Sequence, residues 1–334
     1  MLEIFRFIII IASLAGFLLS FYIFRKKRRQ EQMTCPIGSD CNAVINSEYS
    51  RFLGIPLETI GIFYYGLILL GYSAISTANT LSFPTILFLL ITISTLAFLF
   101  SAYLTIIQGV VLREWCSWCL FSAFLSTLIW SASLASSGSD FVAILKQNEG
   151  VLFFIHLIAI ALGIGATTIA DIFFLRFLKD FKISIEEANI LKIFNQIVWF
   201  AIGISSFAIL GLYLGNINIA FQSPQFIAEV FILTIIILNS TYLTLVVSPR
   251  MIRLSFNNER YESRAQDKAK KMAFASGAVS LCSWYSLLAL VSPFSINLDI
   301  HRIIISFVGL VIISVAVSQV VHNHIESKAK SLGY

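Results

Sequence analysis

A chain of 334 residues, 58% of them apolar and 12% charged, with a net charge of +5 and a mean hydropathy of +0.87, lies far outside the range of soluble globular domains. The composition excludes a water-soluble fold, offers no nucleic-acid-binding character, and predicts a polytopic membrane protein. A spanning helix needs about 20 mostly apolar residues. Nine such stretches run through the chain, at 4–24, 59–78, 83–108, 118–135, 151–175, 197–214, 226–247, 272–290 and 303–321. No heptad run, nucleotide-binding loop or low-complexity tract accompanies them.

The first stretch follows Arg6 in the manner of a signal peptide but lacks a small-residue cleavage site. RKKRR at 25–29 comes after it instead, so it reads as a retained helix with a basic flank. The loop that follows, from Arg25 to Leu57, is too long for a simple turn. It contains CPIGSDC, in which Pro36 and Gly38 favour a bend that can bring Cys35 and Cys41 to disulfide distance. It closes with SRFLGIPLETIG, broken by Gly54 and Pro56 and too short to span. That stretch is either a lid along the membrane surface or simply the approach to the second span.

WCSWC places Cys116 and Cys119 where the polar Arg113 and Glu114 give way to the fourth span. A thiol at a helix N-terminus faces unpaired backbone N–H groups and the positive end of the dipole, which favour thiolate. Cys116 is therefore the expected nucleophile, and Cys119, one turn deeper, the thiol nearer the lipid. Three readings remain open for the four cysteines. Zinc would need an unusually wide Cys35 to Cys41 step and a closed site at a lipid boundary. Inert buried thiols would make two close pairs a coincidence. Thiol–disulfide chemistry uses both pairs.

The string CPIGSDCNAVINSEYSRFLGIPLETIGIFYYG, the WCSWC two spans later and the four spans around them resemble the vitamin K epoxide reductase family, in particular its bacterial and archaeal homologues. The resemblance covers about residues 4–135. It implies a four-helix bundle over 1–138 that holds a ubiquinone- or menaquinone-like quinone beside the CxxC and is capped by the loop. It also implies roles: Cys35 and Cys41 exchange with a thioredoxin-like protein, Cys41 links transiently to Cys116, and Cys119 hands electrons to the quinone. Ser47 matches a loop hydroxyl position of the family, although a helix cap or a solvated serine explains it equally well. Many bacterial relatives carry a fused thioredoxin-like domain; none is present in this chain, so the partner is expected to be a separate protein.

Ser136, Ser137, Gly138 and Ser139 form the best linker, and they divide the chain into a four-span half and a five-span half at 150–334. The halves are not repeats of each other. In the second, Cys282 reads as an apolar filler, and Ser184 with Glu187 as a capping box. Asp171 is an acid deep in an apolar stretch, a functional candidate by default, with Arg176 nearby as an alternative ion-pair partner. His156 and His301 both lie near the starts of odd-numbered spans and could ligate a haem iron, whereas lone membrane histidines more often bond between helices. His322 and His324 fall at a polar end and are expected to be solvated. The role of this half, transporter-like or structural, is open.

Nine spans put RKKRR, the four paired cysteines and the basic connections of the second half on one face. Basic loops prefer the cytoplasm, which would place the thiols in a reducing compartment; the family resemblance implies the outward face. The sequence thus reads as an all-α integral membrane oxidoreductase, four helices followed by about five. It would oxidise a thioredoxin-like partner through two cysteine pairs with quinone as acceptor. The alternatives are a reductase of a quinone or quinone epoxide, and a non-enzymatic transporter or scaffold with structural disulfides.

Overall fold

The structure is a computed structural model and describes residues 2–35, 40–77, 84–137, 141–177, 185–214, 221–247, 263–291 and 299–331. Among these are nine helices long and apolar enough to cross a membrane. The chain is an all-α, multi-pass membrane protein. By contacts it divides into two compact units, Met1–Val151 and Leu152–Tyr334, with the division inside the first turn of a helix.

In the first unit, α1 (Leu2–Arg28), α3 (Leu57–Thr77), α4 (Pro84–Ile106) and α5 (Ser117–Ser137) form the bundle. α1 packs on α3 and α5, and α4 packs on α5. Close approach of α1 and α3 rests on Gly16, because a Cβ there would collide with the Tyr65 ring. Ile9, Ile68, Tyr72, Leu90 and Ile129 fill the centre. α1 runs on through Arg28, past the apolar stretch, since Arg25, Lys26, Lys27 and Arg28 favour the negative end of the helix dipole. The short helix α2 (Cys41–Ile45) and a 3₁₀ turn, Glu48–Ser50, make up the described part of the loop, and α6 (Phe141–Gln147) follows the bundle and packs on α4.

The SRFLGIPL stretch forms a hairpin at the entry to α3. Strands β1 (Arg51–Phe52) and β2 (Ile55–Pro56) pair antiparallel, Phe52 opposite Ile55, and run directly into α3. The two residues between them, Leu53 and Gly54, both have positive φ (50° and 82°), as a tight two-residue hairpin requires. The ring of Phe52 meets Phe100 of α4 edge-on at 5.1 Å, so the hairpin leans on the bundle.

In the second unit, α7 (Glu149–Phe177), α8 (Ile185–Leu214), α9 (Pro224–Tyr242), α10 (Ser263–Val291) and α11 (Ile300–Ser331) surround a core of Ile160, Ile202, Ile232, Ile236 and Trp284. At Gly163 an added Cβ would sit 2.6 Å from the Trp284 ring, which sets how closely α7 meets α10. Polar side chains tie the helices pairwise. Asn239 donates to the Ser276 carbonyl at 2.9 Å and accepts from its hydroxyl at 2.9 Å, and Asn195 and Trp199 both donate to the Thr244 hydroxyl at 3.1 and 3.2 Å. Lipid supplies no hydrophobic drive for helix association, so such bonds and close packing carry it. Ser184 of the expected capping box lies outside the described residues.

Candidate functional site

The two cysteine pairs meet in one apolar cluster at the loop end of the first unit. Its buried members are Met33, Cys41, Val44, Ile45 and Cys116; Cys35, Cys119, Trp118, Leu112 and Ile23 pack around them. Cys35 and Cys41 are joined as a disulfide, with Cα atoms 5.8 Å apart, and Cys116 and Cys119 are free thiols. The cluster therefore contains one oxidised and one reduced pair.

Local chemistry builds the loop. Asp40 caps α2 by accepting from the N–H groups of Asn42 and Ala43 at 2.9 and 3.1 Å. Asn42 in turn grips the irregular segment that leads into Cys35. Its side-chain oxygen accepts from the Met33 N–H at 3.0 Å, and its amide donates to the Met33 carbonyl at 3.2 Å. From the bundle side, the Trp118 indole donates to the Thr34 carbonyl at 3.1 Å. The loop is thus held at both ends of its disulfide. Ser47 donates its hydroxyl to the Val44 carbonyl at 2.7 Å and precedes the 3₁₀ turn without capping it.

Cys116 sits immediately before α5, at the cap position expected of it. Its carbonyl accepts from the Leu120 N–H at 2.9 Å, and its sulfur accepts from the Cys119 N–H at 3.3 Å. α4 reaches it through a π turn, Ile107–Leu112, which ends at Arg113 in a left-handed conformation (φ 56°). That reversal lets the buried Gln108 side chain accept from the Cys116 N–H at 3.2 Å. Cys116 lies just outside the span that begins at Ser117, and its thiol is lowered from the ordinary value. The Cys119 thiol, donating to it, has the largest effect; burial opposes, and the N–H groups of Cys119 and Trp118 add to the lowering. A stabilised thiolate is the nucleophile that disulfide exchange needs.

Lys27 and Glu58 form an ion pair at 3.2 Å, Lys27 donates also to the Ser50 hydroxyl at 3.4 Å, and both charges lie within electrostatic reach of the Cys119 thiol. Neither residue stands out in the sequence, because a charge in a basic run and one at the start of a span look ordinary there. Gln108, Asn42 and Trp118 are likewise invisible as site residues. The one available signal is that Gln108 is an amide at the end of an otherwise apolar span.

For a quinone, the cluster has suitable character: the Cys119 thiol is half-buried where Cys116 is fully buried, and Ile23, Leu112 and Trp118 pack on the same apolar cluster. Among the described residues no group of three or more His, Cys, Asp or Glu side chains is arranged to hold a metal ion.

In the second unit, His156 is buried, with Nδ1 3.3 Å from the Ser205 hydroxyl and Nε2 4.0 Å from Glu229, while His301 is exposed. Ser205 of the neighbouring helix is thus a hydrogen-bond partner of His156, and Glu229 lies beyond direct hydrogen-bond distance. Asp171 lies against Gly277 of α10, where a Cβ would come within 2.7 Å of its carboxylate, and it makes no ion pair among the described residues. His322 departs from the expectation of a solvated side chain. It is 2% exposed, because the face of α11 that carries it packs on α10 and stacks the imidazole edge-on against Phe274 at 5.3 Å. His324 is exposed and Cys282 is a half-buried free thiol.

The model of the vitamin K epoxide reductase family matches residues 7–134, a family of oxidoreductases associated with quinones. The remainder of the chain is outside that match. No curated protein and no solved structure matches the chain.

Proposed function

We propose, from the match of residues 7–134 to the vitamin K epoxide reductase family, that the first unit is a quinone-linked thiol–disulfide oxidoreductase that oxidises a separate thioredoxin-like protein. The observation that carries this reading is the shared apolar cluster, in which the loop disulfide and the Cys116/Cys119 dithiol are packed together at a helix N-terminus. Neither pair alone would suffice.

Disulfide exchange proceeds by thiolate attack through mixed disulfides, so each internal step needs two sulfurs in one enclosure. The partner's dithiol reduces the Cys35–Cys41 bond, and the partner leaves with the disulfide. Cys41 then attacks Cys116 of an oxidised inner pair, a Cys41–Cys116 bond forms, and Cys119 leaves as thiolate. Cys35 attacks Cys41, which re-forms the loop disulfide and releases Cys116. The inner dithiol now holds the two electrons and two protons taken from the partner. A bound quinone is a two-electron, two-proton acceptor. Cys119, half-buried at the edge of the cluster, is the thiol that would face it, and Gln108 and the α5 N–H groups hold Cys116 as the resting nucleophile. Ser47, whose hydroxyl is engaged with Val44, acts in this scheme by holding the end of α2 rather than by meeting the quinone.

We assign the cysteine face to the outside of the cell membrane, because a disulfide-forming relay works in an oxidising compartment. The test of the function is reoxidation. Purified protein, fully reduced and freed of reductant, should recover its disulfides when a soluble quinone analogue is added, and Cys119→Ala should not. Equal rates in the two proteins would remove the quinone from the scheme.

A further inference from the structure

Three residues far apart in sequence, His156 of α7, Ser205 of α8 and Glu229 of α9, converge in the interior of the second unit. They are 1%, 0% and 3% exposed. Taken along the helices at about 1.5 Å per residue, His156 is about 10 Å in from Glu149, Glu229 about 8 Å in from Pro224, and Ser205 about 14 Å back from Leu214. All three therefore sit one to three turns inside the same end of the unit, deep enough to be cut off from bulk water.

An ionisable side chain at such a depth is costly, and membrane proteins retain it where it has a task. Here two are retained side by side. Among the described residues, His156 is the one basic side chain within ion-pairing distance of Glu229, and the remaining ionisable group that Glu229 influences is Tyr213 of α8. The separation of His156 Nε2 from Glu229 Oε2 is 4.0 Å, too long for a direct hydrogen bond. It matches two bonds of about 2.8 Å meeting at one water at about a right angle. Nε2 has no hydrogen-bond partner among the described residues, whereas Nδ1 has the Ser205 hydroxyl at 3.3 Å.

The Ser205 hydroxyl matters because it fixes the tautomer that leaves Nε2 able to accept. When His156 is neutral with its proton on Nδ1, the ring donates to the Ser205 hydroxyl and Nε2 is a bare acceptor facing Glu229; when the imidazole is doubly protonated, Nδ1 donates to the same hydroxyl. The ring therefore gains or loses a proton at Nε2 without abandoning its Nδ1 partner.

We propose that His156, Ser205 and Glu229 form a buried proton-binding site in the second unit, its ligand a single exchangeable proton shared between carboxyl and imidazole through one water. In transfer, the Glu229 carboxyl gives its proton to the water and the water passes one of its own to Nε2; a neutral pair becomes an ion pair and no charge is created overall. This assigns a chemistry to the half of the chain outside the family match, and it stands independently of the cysteine relay.

The test is infrared difference spectroscopy on the full-length protein in lipid, titrated by pH in H2O and D2O. Wild type should show a protonated-carboxyl band that responds to pH and shifts in D2O, and Glu229→Gln should remove it. His156→Gln should retain the band but move its midpoint by about one pH unit, a tenfold change in proton affinity. Ser205→Ala, which leaves both ionisable groups in place and tests the idea should either of the other variants misfold, should alter the imidazole bands that titrate together with the carboxyl. A wild-type protein without such a band, a band unaffected by Glu229→Gln, or a midpoint unaffected by His156→Gln overturns the proposal.

Discussion

Asn42 is the residue whose loss should most directly loosen α2 and the rest of the loop over Cys116. Its side chain makes two bonds to the Met33 backbone, at 3.0 and 3.2 Å, and Met33 is a buried member of the cluster that covers Cys116. A hydrogen bond of this kind contributes about 1 kcal/mol net, so Asn42→Ala should weaken docking by about 2 kcal/mol and raise the open population about 30-fold. Trp118→Phe keeps most of the ring and removes one bond, that to Thr34, and should raise it about fivefold. Cys116 is 0% exposed, so it reacts with a thiol reagent only from the open state, and its rate reads the opening equilibrium directly. The assay is alkylation of the folded protein at fixed pH, with initial rates at Cys116 and Cys119 separated by peptide mapping. Cys116 should react faster in the order wild type, Trp118→Phe, Asn42→Ala, with a much smaller change at the half-buried Cys119. Equal Cys116 rates in all three would refute the argument that these bonds hold the loop over the thiol.

Two further outcomes are expected. The Cys116 thiol is lowered chiefly by the Cys119 side chain, so its thiolate should form at lower pH than an ordinary cysteine's. Removing that donor in Cys119→Ala raises the midpoint, so the thiolate fraction at neutral pH falls; the ultraviolet thiolate signal of the reduced protein, taken as the component lost in Cys116→Ala, should show this. With the cysteine face outward, a membrane-impermeant thiol reagent applied to intact cells after mild reduction should label Cys35 and Cys41. Labelling only after the cells are opened would place the face in the cytoplasm, in accord with the basic loops.

Much of this was legible in the sequence because lipid imposes a simple rule: a run of about 20 apolar residues has to be a helix, and its ends are marked by Arg25 to Arg28, Arg113 or Glu149. The cap position of Cys116 followed from the change from Arg113 and Glu114 to an uncharged run. What the sequence does not display depends on contacts between residues distant along the chain. Gln108 reaches Cys116 only because Arg113 turns left-handed after a π turn, and neither feature has a reliable sequence signature. The hairpin at Leu53 and Gly54 was obscured by its apolar composition. His156 and Glu229 are separated by 73 positions, and no periodicity predicts that their helices meet at that level. His322 differs from the solvated side chain that its polar surroundings in the sequence suggest, because one side of that end of α11 packs on Phe274.

The central claim is that the two cysteine pairs exchange with each other, and replacing Cys119 tests it most directly. In Cys119→Ala, Cys116 can attack Cys41 but lacks the neighbour, one turn along α5, that resolves the bond toward the inner pair. Non-reducing peptide mapping should therefore find a Cys41–Cys116 disulfide accumulating in Cys119→Ala and absent from Cys119→Ala combined with Cys41→Ala. A map of the single variant with Cys35 paired only to Cys41, and Cys116 free under oxidising conditions, would contradict the relay.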